Sequence, residues 1–128
     1  TAFATRERFP HVTDLVQEWP QDALPEMALD RSAYIAVLTH DPKLDDPALQ
    51  IALRSDASYV GALGSQRTHR KRVERLREAG LTEEQISRLH APIGFDIGGR
   101  SPGEIAVSIM AEIIQVRNST LAGVPATL

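Results

Sequence analysis

Three short stretches of this chain carry residues that could do chemistry. In Tyr59 to Arg67, YVGALGSQR, Gly61 and Gly64 let the backbone approach a neighbour closely, and Ser65 is a good helix cap. Arg67 would bring a guanidinium to an anion held by free amides at the start of the helix that follows. In Thr39, His40 and Asp41 an imidazole sits beside a carboxylate, a pair suited to acid or base work or to ligand contact, although Asp41 before Pro42 also suits a simple turn. In Pro92 to Gly99, PIGFDIGG, glycines bracket Asp96 and would set a carboxylate and free amides against a ligand, or make a plain crossover before a helix.

The bounds on that chemistry are informative. The first loop reads G-x-x-G-S, not the three-glycine dinucleotide fingerprint, and it lacks the terminal lysine of a phosphate loop. Arg67, Arg70 and Lys71 occupy the first turns of a helix, where the macrodipole disfavours each cation by about 0.3–1 kcal/mol, a sign that a bound anion would reverse. The six basic residues from Arg67 to Arg77 also suit a solvated helix face. A nucleic-acid footprint is disfavoured because Glu74 and Glu78 interrupt the run, stacking aromatics are absent, and the net charge is -3. No cysteine is present, so disulfides and thiolate chemistry by this chain are excluded, and the four histidines show no zinc-helix spacing, so no metal site is assigned. No residue is assigned a catalytic role. No apolar run approaches the ~20 residues of a membrane span.

The elements that must position these loops follow from pattern. The run Ser32 to Thr39, SAYIAVLT, reads as a parallel strand covered on both faces, and Tyr59 to Leu63 as a second strand. Asp46 and Pro47 suggest the cap and first residue of a helix running to about Arg54, with Leu49 and Leu53 on one face. A strand, helix, strand unit of this length is a βαβ crossover, which puts Thr39 to Asp41 and Gly61 to Ser65 on one edge of a sheet. Beyond Ser65 a helix runs to about Ala79, with Val73, Leu76 and Ala79 inward and Gly80 as the stop. A capping box at Thr82 and Gln85 opens a short helix over 83–90. Phe95 to Ile97 could form a very short strand, and Ser101, Pro102 and Glu104 start a long helix whose inner face is Ile105, Ile109, Ile113 and Val116, with Met110 beside them. Upstream, Val12 to Trp19 leans towards a strand, and Pro20 and Pro25 allow only short helical pieces over 20–31. Glu112 falls among apolar residues, where burial would require a partner.

Charge and glycine are uneven. Residues 1–56 hold five Lys/Arg against ten Asp/Glu, while residues 57–128 hold nine against seven and all eight glycines. The first part reads as scaffold and the second as the part whose loops approach a ligand.

The runs YIAVLTHDPKLDDPAL, YVGALGSQRTHRKR and APIGFDIGGRSPGEIAVSIMAEI, in this order, resemble the C-terminal Rossmann-type domain of the xanthine dehydrogenase accessory protein family (XdhC/CoxI) over roughly residues 1–117, with 118–128 as a tail. The resemblance implies a Rossmann-like three-layer α/β/α fold with a mostly parallel sheet, lacking the opening strand, glycine-rich turn and second strand with which the family pattern begins. It implies a cytoplasmic maturation factor that binds and protects the molybdenum cofactor (molybdopterin), supports its sulfuration by a partner cysteine desulfurase and delivers it to a molybdoenzyme apoprotein of the xanthine dehydrogenase type, a role that does not require turnover. Carried over by motif, the cofactor-binding residues would be Thr39, His40 and Asp41; Gly61, Gly64, Ser65 and Arg67; and Gly94, Asp96 and Gly98. Two other readings stand beside it: an NAD(P)-dependent oxidoreductase domain, and a protein-interaction module docking its basic helix on an acidic partner. A second copy of the chain is one candidate to cover an exposed sheet edge, giving a homo-oligomer.

Overall fold

A computed structural model describes residues 5–121 of the 128-residue chain. Tyr34–Val37 (β1), Tyr59–Ala62 (β2) and Leu89–His90 (β3) form a parallel sheet in the order β1-β2-β3. The register sets Tyr34 beside Tyr59 and Val37 beside Ala62, and the Leu63 N–H donates to the Val37 carbonyl at 2.9 Å, so the first two strands end level. Before the sheet come Pro20–Ala23 (α1) and a 3₁₀ turn over Leu24–Glu26, the short helical pieces that Pro20 and Pro25 permit.

Alternate residues of β2 feed two cores. Val60 and Ala62 join Leu49 and Leu53 of helix Pro42–Arg54 (α2), Leu76 of Gln66–Glu78 (α3) and Ile86 of Glu83–Ser87 (α4). Tyr59 faces the other way, with Ile93 and with Ile109 and Val116 of helix Pro102–Leu121 (α5). The result is helices on both faces of a parallel sheet, the α/β architecture expected from the two apolar runs.

Several details differ from the sequence reading, each for a physical reason. Helix α2 begins at Pro42, not Pro47, because the Asp41 carboxylate caps it by accepting the Lys43 N–H at 3.0 Å; Pro47 lies inside the helix. The stretch over 83–90 divides: the capping box forms, but α4 ends at Ser87 and Leu89–His90 becomes β3, while Phe95 to Ile97 form no strand. Val12 to Trp19 forms no strand either, and Arg6 donates to the carbonyls of Val12 and Thr13, acceptors that a ladder would need. In α3 the inward residues are Arg72, Val73 and Leu76, while Ala79 is an exposed C-cap and Gly80 takes φ +97°. Helix α5 continues through Leu121, four residues past the expected end of the domain; the rest of the 118–128 tail lies outside the described residues. Among the described residues, strand β1 is covered on one face only. Tyr34 and Leu38 are exposed, as are Val107, Met110 and Ile114 on the outer side of α5, so Met110 does not join the inner stripe.

Candidate functional site

All three sequence-singled loops leave the carboxyl-terminal edge of the sheet, where open α/β folds bind ligands. Thr39 to Asp41 follow β1, Leu63 to Ser65 follow β2, and the segment after β3 is anchored there by the Ile93 N–H donating to the Ala62 carbonyl at 3.0 Å.

A buried polar relay joins the first two loops. The Thr39 hydroxyl donates to Asp45 Oδ1 and accepts the Asp41 N–H at 3.1 Å. Asp45, buried in α2, accepts from Arg72 Nη2 at 3.4 Å, and the same nitrogen donates to the Leu63 carbonyl at 3.1 Å. Asp45 and Arg72 are each 2% exposed, and Arg72 Nε and Nη1 are buried with no hydrogen-bond partner among the described residues. Sequence reasoning counted Arg72 among the solvated cations and passed over Asp45. A signal was available: each lies four residues before an inward leucine, Asp45 before Leu49 and Arg72 before Leu76, and so shares its buried face.

The Gly64 turn has the expected form. Gly64 sits at φ +142°, a conformation that favours glycine, and Ser65 caps α3 by accepting the Thr68 N–H at 3.2 Å. Arg67, Arg70 and Lys71 are exposed and make no ion pair among the described residues. The rest of the basic run is tethered: Arg75 grips Asp46 with two hydrogen bonds at 2.6 and 3.2 Å, and Arg77 pairs with Glu83. His69 is held below its ordinary pKa by burial and, secondarily, by the Arg72 charge.

Gly61 answers to the core. It lies within β2, and a Cβ there would stand 2.6 Å from Ile93 Cγ1 and 2.7 Å from the Tyr59 hydroxyl oxygen, so the close approach is to those side chains. Gly94, at φ +84°, lets its loop meet α5, for a Cβ would come within 2.6 Å of Ser108 Oγ. Its N–H donates at 3.1 Å to Glu112 Oε1, which also accepts the Tyr59 hydroxyl at 2.5 Å and lies 3.6 Å from His90 Nδ1. His90 stacks on Tyr59 with ring centroids 4.7 Å apart. Burial, and then the hydrogen bond and charge of Glu112, push the Tyr59 phenol well above its ordinary pKa. Glu112 thus has the partners its burial requires, and sequence reasoning named none of them. Asp96 is exposed and turns back on its own loop, accepting the Gly98 N–H at 3.2 Å. His40 is exposed.

Concave space lies on the β1 side of this edge. A groove of about 350 Å³ is lined by Val16, Leu38, Thr39, Asp45 and Ala48 among others, and one of about 250 Å³ by Gln17, Glu18, Trp19, Asp41 and Leu44. Among the described residues, no group of three or more His, Cys, Asp or Glu could hold a metal ion, and no helix is long and apolar enough to cross a membrane.

Comparison with known proteins gives the family of the domain. A family model described as the XdhC Rossmann domain matches residues 1–113. The chain is 39% identical over 117 residues to the uncharacterized protein YqeB of Escherichia coli K12, covering 91% of this chain and 21% of that protein. It is 35% identical over 107 residues to the molybdenum cofactor insertion chaperone PaoD of the same organism, covering 84% and 32%. It is 32% identical over 116 residues to a probable xanthine dehydrogenase subunit of Bacillus subtilis 168, covering 91% and 33%. A crystal structure described as a xanthine dehydrogenase from Bacillus halodurans superposes with a TM-score of 0.73 at 28% identity, covering 91% of this chain and 32% of that one. The chain spans between a fifth and a third of the length of these relatives.

Proposed function

The chain belongs to the XdhC Rossmann domain family, and from that premise we propose that it takes the molybdenum cofactor at the carboxyl-terminal edge of its sheet and serves cofactor maturation and insertion. The observation that carries this reading is the 35% identity to PaoD, a molybdenum cofactor insertion chaperone, over a stretch covering 84% of this chain. The residues present fit the phosphate-bearing end of such a cofactor. Behind Gly64 and Ser65 the start of α3 offers a helix terminus suited to an anion, the exposed cations Arg67, Arg70 and Lys71 lie in its first two turns, and the buried guanidinium of Arg72 retains donors without an acceptor among the described residues.

In this reading the chain binds and orients. The amides after Gly64 and the Arg67 side chain meet the phosphate, while Thr39, His40, Asp41 and Asp96 offer polar groups to the remainder of the ligand; the glycines at 94 and 98 shape the third loop, and Gly61 lets β2 pack on Ile93 beneath it. The bound cofactor supplies the molybdenum chemistry of the enzyme that receives it, a molybdoenzyme apoprotein of the xanthine dehydrogenase type. A cysteine desulfurase is the partner for sulfuration that the family resemblance implies; this chain itself holds no cysteine.

Titration with purified molybdopterin, followed by fluorescence or calorimetry, tests the reading. Saturable binding that weakens in Arg67→Ala is expected. Absence of binding, or affinity indifferent to Arg67→Ala, overturns it.

A further inference from the structure

We propose that Arg72 seats the anion at the Gly64 turn, an assignment that rests on the reading above and gives its buried guanidinium a direct role. A guanidinium carries five N–H donors. The two on Nη2 are directed to the Leu63 carbonyl and to Asp45, but Nε and Nη1 find no acceptor among the described residues although the side chain is 2% exposed. Buried donors without acceptors are rare in folded proteins, and at a strand-end loop a missing acceptor points to a ligand. Asp45 answers the Arg72 charge through Oδ2 alone, its Oδ1 being taken by Thr39, and neither oxygen reaches Nε or Nη1.

The free donors lie at the turn. Nη1 stands 3.7 Å from where a Cβ on Gly64 would be, and that Cβ would also press on Thr68 Cγ2 at 3.1 Å. Glycine at this position, at φ +142°, keeps a side chain away from Nη1. The turn leads directly into α3, thirteen residues long, whose Gln66 and Arg67 amides precede the Thr68 N–H that Ser65 caps. A phosphate monoester or phosphoanhydride there completes both sets of donors, and a planar guanidinium suits two of its oxygens as an ammonium does not. Arg70 and Lys71 stand in water, where salt screens them, and guide the anion inward, while the exposed Arg67 touches it from the solvent side.

Inorganic phosphate is the probe, at constant ionic strength. In the unaltered chain the Arg72 Nε–H resonance shifts on phosphate addition and saturates. Arg72→Lys weakens phosphate affinity by about tenfold or more, the loss expected when a planar fork becomes a point charge, while Arg67→Ala costs only about two- to threefold. A stationary Nε–H resonance, or an Arg72→Lys affinity within about twofold of the unaltered chain, overturns the assignment. Should Arg72→Lys fail to fold, judged by circular dichroism, the resonance of the unaltered chain decides alone. Molybdopterin binding undiminished in Arg72→Lys overturns the role of Arg72 and leaves the cofactor reading standing. Phosphate binding that depends on Arg72, without molybdopterin binding, does the reverse.

Discussion

The Tyr59 hydroxyl donates to Glu112 Oε1 at 2.5 Å, joining β2 to α5 across 53 residues of sequence. The same oxygen receives the Gly94 N–H, so one carboxylate ties a strand, a helix and the glycine-rich loop together. Glu112→Ala leaves two buried donors unpaired and is expected to cost about 2–4 kcal/mol in urea unfolding, whereas Glu112→Gln keeps an acceptor and costs about 1 kcal/mol.

Alkaline stability should follow from the same bond. Because the folded-state pKa of Tyr59 is raised above its unfolded value near 10, the stability it contributes is fully present below pH 10 and is lost as pH rises beyond it. Unfolding free energies measured between pH 8 and about pH 11 should therefore fall more steeply in the unaltered protein than in Tyr59→Phe. Parallel curves would contradict this.

The buried Asp45 and Arg72 pair predicts an asymmetry between single and double substitutions. Asp45→Ala strands a guanidinium that is 2% exposed and should destabilise by about 3–5 kcal/mol. Replacing both, Asp45→Leu with Arg72→Met, removes the stranded charge and should recover more than half of that loss in a double-mutant cycle. Additive single effects would show that the two side chains do not depend on each other.

Two glycine substitutions should move melting temperature in opposite directions. Gly61→Ala forces a Cβ to within 2.6 Å of Ile93 and 2.7 Å of the Tyr59 oxygen, an overpacking expected to cost about 1–3 kcal/mol. Gly103→Ala meets nothing within 4 Å on the first turn of α5 and should stabilise by about 0.5–1 kcal/mol through helix propensity.

Arg67 offers the complementary case. Exposed and without an ion pair among the described residues, its replacement by alanine should leave unfolding free energy within about 0.5 kcal/mol of the original. A large loss of stability would mean that Arg67 serves the fold.

Where apolar residues repeat with a clear period, the sequence was enough. The two long strands, the Ser65 cap, the capping box at Thr82 and Gln85, and the inner stripe of α5 were all legible because each is local or periodic. Strand β3 was not, since two residues directly after a helical turn carry no period of their own. Pro47 misplaced the start of α2 because a proline inside a helix resembles one at its first position, and only the Asp41 side chain decides between them. At the candidate site the loops were legible and their supports were not. The relay from Thr39 through Asp45 and Arg72 to Leu63, and the Glu112 tie, depend on which faces meet in three dimensions. Local spacing could have marked Asp45 and Arg72 as inward, where the sequence reading took Arg72 for a solvated cation, but it could not have paired them.

The relay has a thermodynamic consequence for any ligand of this edge. With Thr39, Asp45, Arg72 and Leu63 in one chain of hydrogen bonds, the loops after β1 and β2 are fixed relative to each other before anything binds, and Glu112 holds the third loop by its Gly94 amide. Their ordering entropy is already spent when the chain folds, so little of it remains to oppose binding. Calorimetry should accordingly find the heat-capacity change of a rigid association, one that scales with ligand surface buried and carries no added contribution from loop folding.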